Sequence, residues 1–214
     1  MKRLQLSYVD ILHCHRPDPE VPMEEVVFAI DYILRNGLAL YWGTSMWSAR
    51  ELEEAHRVCK ELGCMPPIVE QPSYSMLMRE KVEKEYDPIC KKYGMGLTTF
   101  SPLAGGILTD KYNNGMPEGS RLACFPHLRK HFEEQGILSE KTFARLRKLQ
   151  TIADTLGASM SQLAIAWCLK NDNVSSVILG VSNPEQLVEN LKALQFKEKL
   201  DNEIMTEIDK VLKS

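Results

Sequence analysis

The sequence predicts an α/β protein, a parallel sheet covered by helices, in the (β/α) barrel class. Three observations carry this. Short β-branched and aromatic runs alternate with amphipathic stretches, the pattern of successive βαβ units. No Gly-x-Gly-x-x-Gly follows any strand, and no Gly-rich loop ends in Gly-Lys-Ser/Thr, which places an open doubly wound sheet second. Each strand ends in hydrogen-bonding side chains, as expected where chemistry gathers at the carboxyl ends of barrel strands.

The elements follow in order. "YVDILHCH" is a buried strand stopped by Pro17 and Pro19. "PMEEVVFAIDYILRNG" is a helix with Val26, Val27, Ile30, Ile33 and Leu34 on one stripe, Pro22 near its start and Gly37 past its end. "LALYWGTS" is a strand. In "SARELEEAHRVCKELG", Ser48 and Glu51 have capping-box spacing, Leu52, Ala55, Val58, Cys59 and Leu62 form the stripe, and Gly63 stops the helix. "PPIVEQPSYS" holds a short strand, and Pro88 should kink or shorten the helix of "EKVEKEYDPICKKYG". "MGLTTFSPLAGG" is a strand running into a glycine-rich loop, followed by a less regular excursion. "SEKTFARLRKLQTIADTLG" and "SMSQLAIAWCLKN" are helices, the latter with a Ser159–Gln162 capping box. "VSSVILG" is the last strand, ending at Gly180. "NPEQLVENLKAL" is its helix, capped by Ser182 with Glu185, and "DNEIMTEIDKVLKS" is a terminal helix.

The 214 residues are 44% hydrophobic and carry a formal net charge of -3, enough to bury a sizeable core and no electrostatic reason to expect nucleic acid or an anionic membrane as partner. No linker or low-complexity tract divides residues 1–214, which are expected to form a single domain. The six cysteines form no Cys-x-x-Cys pair, the N-terminus has no leader-like apolar core, and charges interrupt every candidate membrane span. Reduced thiols in a cytoplasmic protein are expected.

Alternation along the first strand puts His13 and His15 on one face, with His15 at the mouth, His13 a layer deeper and Cys14 pointing away. His13 is expected to be a buried, satisfied core histidine and His15 a catalytic group. No metal is expected. Zinc needs three or four ligands, and the His127/His131 pair lacks the Glu of His-Glu-x-x-His and should be disturbed by Pro126. The helix start in "GVSNPEQ" is a candidate phosphate site. Tyr41 is expected to pack.

The segments "RLQLSYVDILHCHRPDP", "PMEE", "YWGTSMWS", "PPIVEQPSYSM", "FSPLAGGILTDKY", "QLAIAWCLKN", "VSSVILGVSN" and "EQLVEN" run in order along nearly the whole chain. Together they resemble the aldo-keto reductases, more narrowly the branch containing the beta subunits of voltage-gated potassium channels. The resemblance implies an NADPH-dependent reductase of aldehydes or ketones on a (β/α)8 TIM barrel. It makes His15 the active-site histidine that orients and polarises the substrate carbonyl, where channel beta subunits commonly have asparagine. It assigns Ser45 and Gln71 to the nicotinamide carboxamide and Phe100 to the face of the nicotinamide ring. Ser101, Pro102, Leu103, Ala104 and Gly105 would follow the pyrophosphate. Lys111 and Arg121 would meet the phosphates, Arg121 near the 2′-phosphate. Gly180, Ser182, Gln186, Glu189 and Asn190 would hold the adenosine half. Met46 departs from the family, which has a polar or basic residue there.

Five strands are read where a closed barrel has eight. The resemblance aligns them with strands 4 to 8, so a truncated barrel is expected, with the family's catalytic tyrosine, lysine and aspartate outside this chain. Unpaired edges and an exposed apolar interior should follow. The same resemblance implies two partners besides a carbonyl substrate: further copies of the chain, commonly a tetramer in that branch, and a potassium channel alpha subunit. A non-catalytic NADPH-binding scaffold is the alternative function.

Overall fold

In the computed structural model of the chain, residues 1–112 and 115–213 are described, and they fall into two compact units. The first holds Met1–Pro72 and Glu80–Thr99; the second holds Ser73–Arg79 and the chain from Phe100 onward.

In the first unit, β1 (Val9–Cys14), β2 (Ala39–Thr44), β3 (Val69–Glu70) and β4 (Gly96–Thr99) pair in parallel in chain order. Parallel pairing needs crossovers, and α1 (Met23–Arg35), α2 (Ala49–Leu62) and α3 (Asp87–Tyr93) provide them. The helices bury most of the stripes the sequence marks, Val27 and Ile30 on α1 and Leu52, Ala55, Val58 and Cys59 on α2, while Val26, Ile33 and Leu34 are half-buried and Leu62 is exposed. Both capping-box bonds of Ser48 and Glu51 are made, and Gly63 closes α2 with a left-handed φ of 66°. A π-helical stretch, Lys81–Tyr86, precedes α3 and places Pro88 in its first turn. The helical run is unbroken from 80 to 93, so around Pro88 it changes from π-helical to α-helical instead of being shortened.

The face of the sheet away from the helices is less covered. Ile11 and Tyr41 are register partners there and are 37% and 44% exposed. Tyr41 does not pack, contrary to expectation, because its neighbour across the ladder is itself open to solvent.

His56 on α2 stacks on Tyr93 at 3.8 Å between ring centroids, with Nε2 3.2 Å from Met95 Sδ. Burial, aided by the Lys92 charge, lowers its pKa to about 4 from 6.5. A lowered histidine pKa means the unfolded chain binds the extra proton, so this contribution to stability is full above pH 6.5 and is lost as pH falls towards 4. Wild-type protein is expected to lose on the order of 2–3 kcal/mol more than His56→Phe across that window. Denaturant melts at pH 7 and pH 4.5 would read this, and equal losses in the two proteins would refute it.

The second unit is mostly helical: α4 (Arg121–Cys124), α5 (Pro126–Glu134), α6 (Glu140–Leu156), α7 (Met160–Leu169), α8 (Pro184–Leu191) and α9 (Asn202–Lys213), with strand β5 (Val174–Val177). Helix α7 is buried almost all round and is capped by Ser159 and Gln162 as the spacing predicts. Segment 73–79 lies against it. Tyr74 packs on Trp167 at 5.0 Å, and Arg79 stands 4.9 Å over the same ring while pairing with Asp209 of α9 at 2.7 Å.

Three local expectations are corrected here. β5 ends at Val177, so Gly180 lies three residues beyond the strand, in exposed chain. A β-branched run sets a preference, but a strand extends only where a neighbouring backbone continues the ladder. The cap of α8 is Asn183, whose side chain accepts from Gln186 N–H, with Pro184 in the first turn. Ser182 instead gives both its N–H and its hydroxyl to Gln186 Oε1, each at 3.0 Å. Pro126 opens α5 rather than disturbing it, since the first helical position needs no N–H.

Among the described residues, the six cysteines form no disulfide. Cys59, Cys90 and Cys168 are buried, Cys14 and Cys64 half-buried, and Cys124 exposed. Burial raises Cys59 to about 12 and Cys90 to about 11. Among the described residues, no helix is long and apolar enough to cross a membrane.

Candidate active site

The ladder register positions the site in the first unit. His13, Gly43 and Val69 are side-by-side partners on β1, β2 and β3. The strands end at Cys14, Thr44 and Glu70, and His15, Ser45 and Gln71 follow directly, one after each. The three residues singled out at separate strand ends are thus one row. His13 lies a layer below, half-buried, its Nδ1–H donating to Thr44 O at 3.2 Å, which fixes the tautomer. Gly43 makes this layer fit: a Cβ there would stand 3.1 Å from the His13 ring and 2.4 Å from Val69 Cγ1.

Hydrogen bonds tie the row together. Ser45 Oγ donates its one proton to Gln71 O at 2.8 Å and accepts from Arg16 Nη1 at 2.9 Å. The same Arg16 nitrogen reaches His15 O at 2.6 Å and Ser45 O at 3.1 Å. The hydroxyl is left with one acceptor lone pair, so a ligand group approaching it must be a donor. His15 is exposed, and Arg16 was not among the residues expected in the site. Its signal was present in the sequence, as a cation immediately after a candidate catalytic histidine at a strand end.

Behind the row lies Glu70, 1% exposed, and alternation points it to the opposite face from Gln71. Thr44 Oγ1 donates to Glu70 Oε2 at 2.5 Å. Tyr86 OH donates to Trp47 O at 2.5 Å and lies 3.4 Å from Glu70 Oε1, and Lys81 Nζ donates to Met46 O at 3.0 Å. Met46 is held at φ 61°, an uncommon conformation for a residue with a side chain. Burial raises the Glu70 pKa, opposed by bonds from Thr44 and the Met46 N–H, the Lys81 charge and the Tyr86 hydroxyl.

The second unit carries the remaining candidates. Phe100 is bridged to Ser73, and Tyr74 N–H donates to Phe100 O at 3.1 Å. After it the chain turns tightly, with positive φ at Ser101, Ala104, Gly105 and Gly106. Pro102 and Ala104 are buried, while Ser101, Leu103 and Gly105 are half-buried. At Gly105 a Cβ would come within 2.9 Å of Phe132. Lys111 and Arg121 are exposed and, among the described residues, form no ion pair with an acid; Arg121 lies 5.8 Å from the centroid of the Phe125 ring.

On α8, Ser182 occupies the carbonyl end of Gln186, which orients the Gln186 amide. Glu189 accepts from Gln162 at 2.7 Å and from Lys192 at 3.2 Å, and Asn190 is buried. Gln162 is thus a second residue not anticipated in the site, concealed by its evident role as a helix cap. A Cβ at Gly180 would meet nothing within 4 Å, so packing does not require a glycine there. Among the described residues, no group of three His, Cys, Asp or Glu side chains could hold a metal ion.

Comparison with known proteins shows the family of the chain. The model of the aldo/keto reductase family matches residues 1–213. The chain belongs to the aldo/keto reductase family. One relative of this reductase-family chain is a Schizosaccharomyces pombe protein named "Putative voltage-gated potassium channel subunit beta", 48% identical over 213 residues. The match covers 99% of the chain and 61% of that relative, so the chain spans about three-fifths of the curated relative's length. Both findings agree with the resemblance read from the ordered segments.

Proposed function

We propose that the chain forms strands 4 to 8 of an aldo/keto reductase barrel, a partial domain that binds NADPH and takes part in reducing aldehydes or ketones. The observation that carries this reading is the single row of His15, Ser45 and Gln71 at the carboxyl ends of three adjacent parallel strands. NADPH, when bound, supplies the hydride. The residues fit it: Ser45 can accept from a carboxamide NH2, Gln71 stands beside it, and Lys111 and Arg121 offer charge to phosphates. Phe100 offers a ring face, and the half-buried Ser101, Leu103 and Gly105 offer backbone. Ser182, Gln186, Glu189 and Asn190 group on or beside one helix, with Gly180 nearby. His15, exposed at the row's end, can donate a hydrogen bond to a carbonyl oxygen. A cytoplasmic location and self-association belong to the same proposal.

A second reading has one observation in its favour, the name of the 48% identical relative. On it, the chain is an NADPH-binding regulatory scaffold for a potassium channel alpha subunit. Nicotinamide fluorescence with this chain, using NADH as control, tests both. Micromolar NADPH binding tighter than NADH, followed by aldehyde-dependent oxidation, supports the reductase. Binding without turnover favours the scaffold, and no binding sinks the cofactor assignment.

A further inference from the structure

We propose that Glu70 is a positioning residue, its buried carboxylate holding the turn at residues 44–47 in the shape that presents Ser45, beside Gln71, to a nicotinamide carboxamide. This rests on the NADPH reading. Three features of the geometry point to it.

Glu70 touches the turn at several places. It accepts from the Thr44 hydroxyl and the Met46 N–H, and it neighbours the Tyr86 hydroxyl, which also reaches Trp47 O. The turn needs holding, because Met46 is kept in the left-handed region without being glycine. Lys81 grips the other side of the same peptide through Met46 O. Finally, Glu70 faces away from the row, so it acts through Ser45 and Gln71 rather than on a ligand. A carboxylate so deeply buried is unfavourable unless its acceptor capacity is used, and the turn uses it.

The test separates local positioning from general stability. NADPH and adenosine 2′,5′-bisphosphate, which lacks the nicotinamide, are titrated against wild-type chain, Glu70→Ala and Glu70→Gln. Glu70→Ala is expected to weaken NADPH about 10-fold or more while the bisphosphate stays within about twofold. Glu70→Gln keeps a carbonyl acceptor and should recover to within about threefold of wild type. Should Glu70→Ala unfold, Thr44→Val removes only the donated hydroxyl and is expected to show the same selective loss. Equal weakening of both ligands, or unchanged NADPH affinity in a folded variant, overturns the proposal. Wild-type chain that binds neither ligand overturns it together with the cofactor assignment, and so marks the different failure.

Discussion

Gly43→Ala is expected to lower the melting temperature by about 6–12 °C, from a loss of roughly 3 kcal/mol in a chain of this size. A Cβ at this position would lie 2.4 Å from Val69 Cγ1 and 2.6 Å from Val69 O. The first clash can be relieved by a rotamer change, but the second is against the backbone of the adjacent strand. Strands β2 and β3 would have to separate where Gly43 and Val69 are paired. Adding Val69→Ala should restore only part of the loss, since the carbonyl remains. Calorimetry on the single and double variants reads both effects, and a single variant melting within about 1 °C of wild type would show that the register is wrong.

On the proposed reductase reading, and in an assembly that supplies the family's tyrosine and lysine, His15→Ala is expected to reduce aldehyde-dependent NADPH oxidation about 100-fold to 1000-fold and to leave NADPH affinity within about twofold. The split follows from the geometry. The links from this strand end to Ser45 run through the His15 carbonyl and Arg16, not through the imidazole. Removing the ring therefore leaves the bonds around Ser45 intact and takes away the exposed donor at His15. Steady-state rates with a fluorescence titration of the same samples measure the two quantities. Equal loss of rate and affinity would make His15 a binding residue and sink its catalytic assignment.

Much of this was legible in the sequence because local chemistry decides it. The capping boxes at Ser48 and Ser159 and the glycine stop at Gly63 form where their spacing places them, since each satisfies backbone groups within one turn. The row of His15, Ser45 and Gln71 was readable as separate strand ends. Its register was not, because a three-strand ladder is set by long-range pairing. Where local and tertiary signals competed, the local reading failed. Gly180 ends a β-branched run, but β5 stops earlier. Ser182 has cap spacing, yet Asn183 takes the cap once Pro184 fixes the first helical position. Arg16 and Glu70 were passed over for opposite reasons, one as an ordinary surface cation and the other as a buried acid whose partners come from distant segments.

The distribution of the thiols affects how self-association has to be measured. Cys59, Cys90 and Cys168 are shielded, and burial keeps the first two protonated at neutral pH. Cys124, exposed on a short helix, is the thiol most open to air oxidation. A covalent pair joined there would run as a dimer on a sizing column and owe nothing to the sheet edge or to any native contact. Reductant, or Cys124→Ser, separates the artefact from a true assembly. The same accessibility makes Cys124 a natural place for a fluorescent label three residues from Arg121, where it would test the proposed phosphate contact.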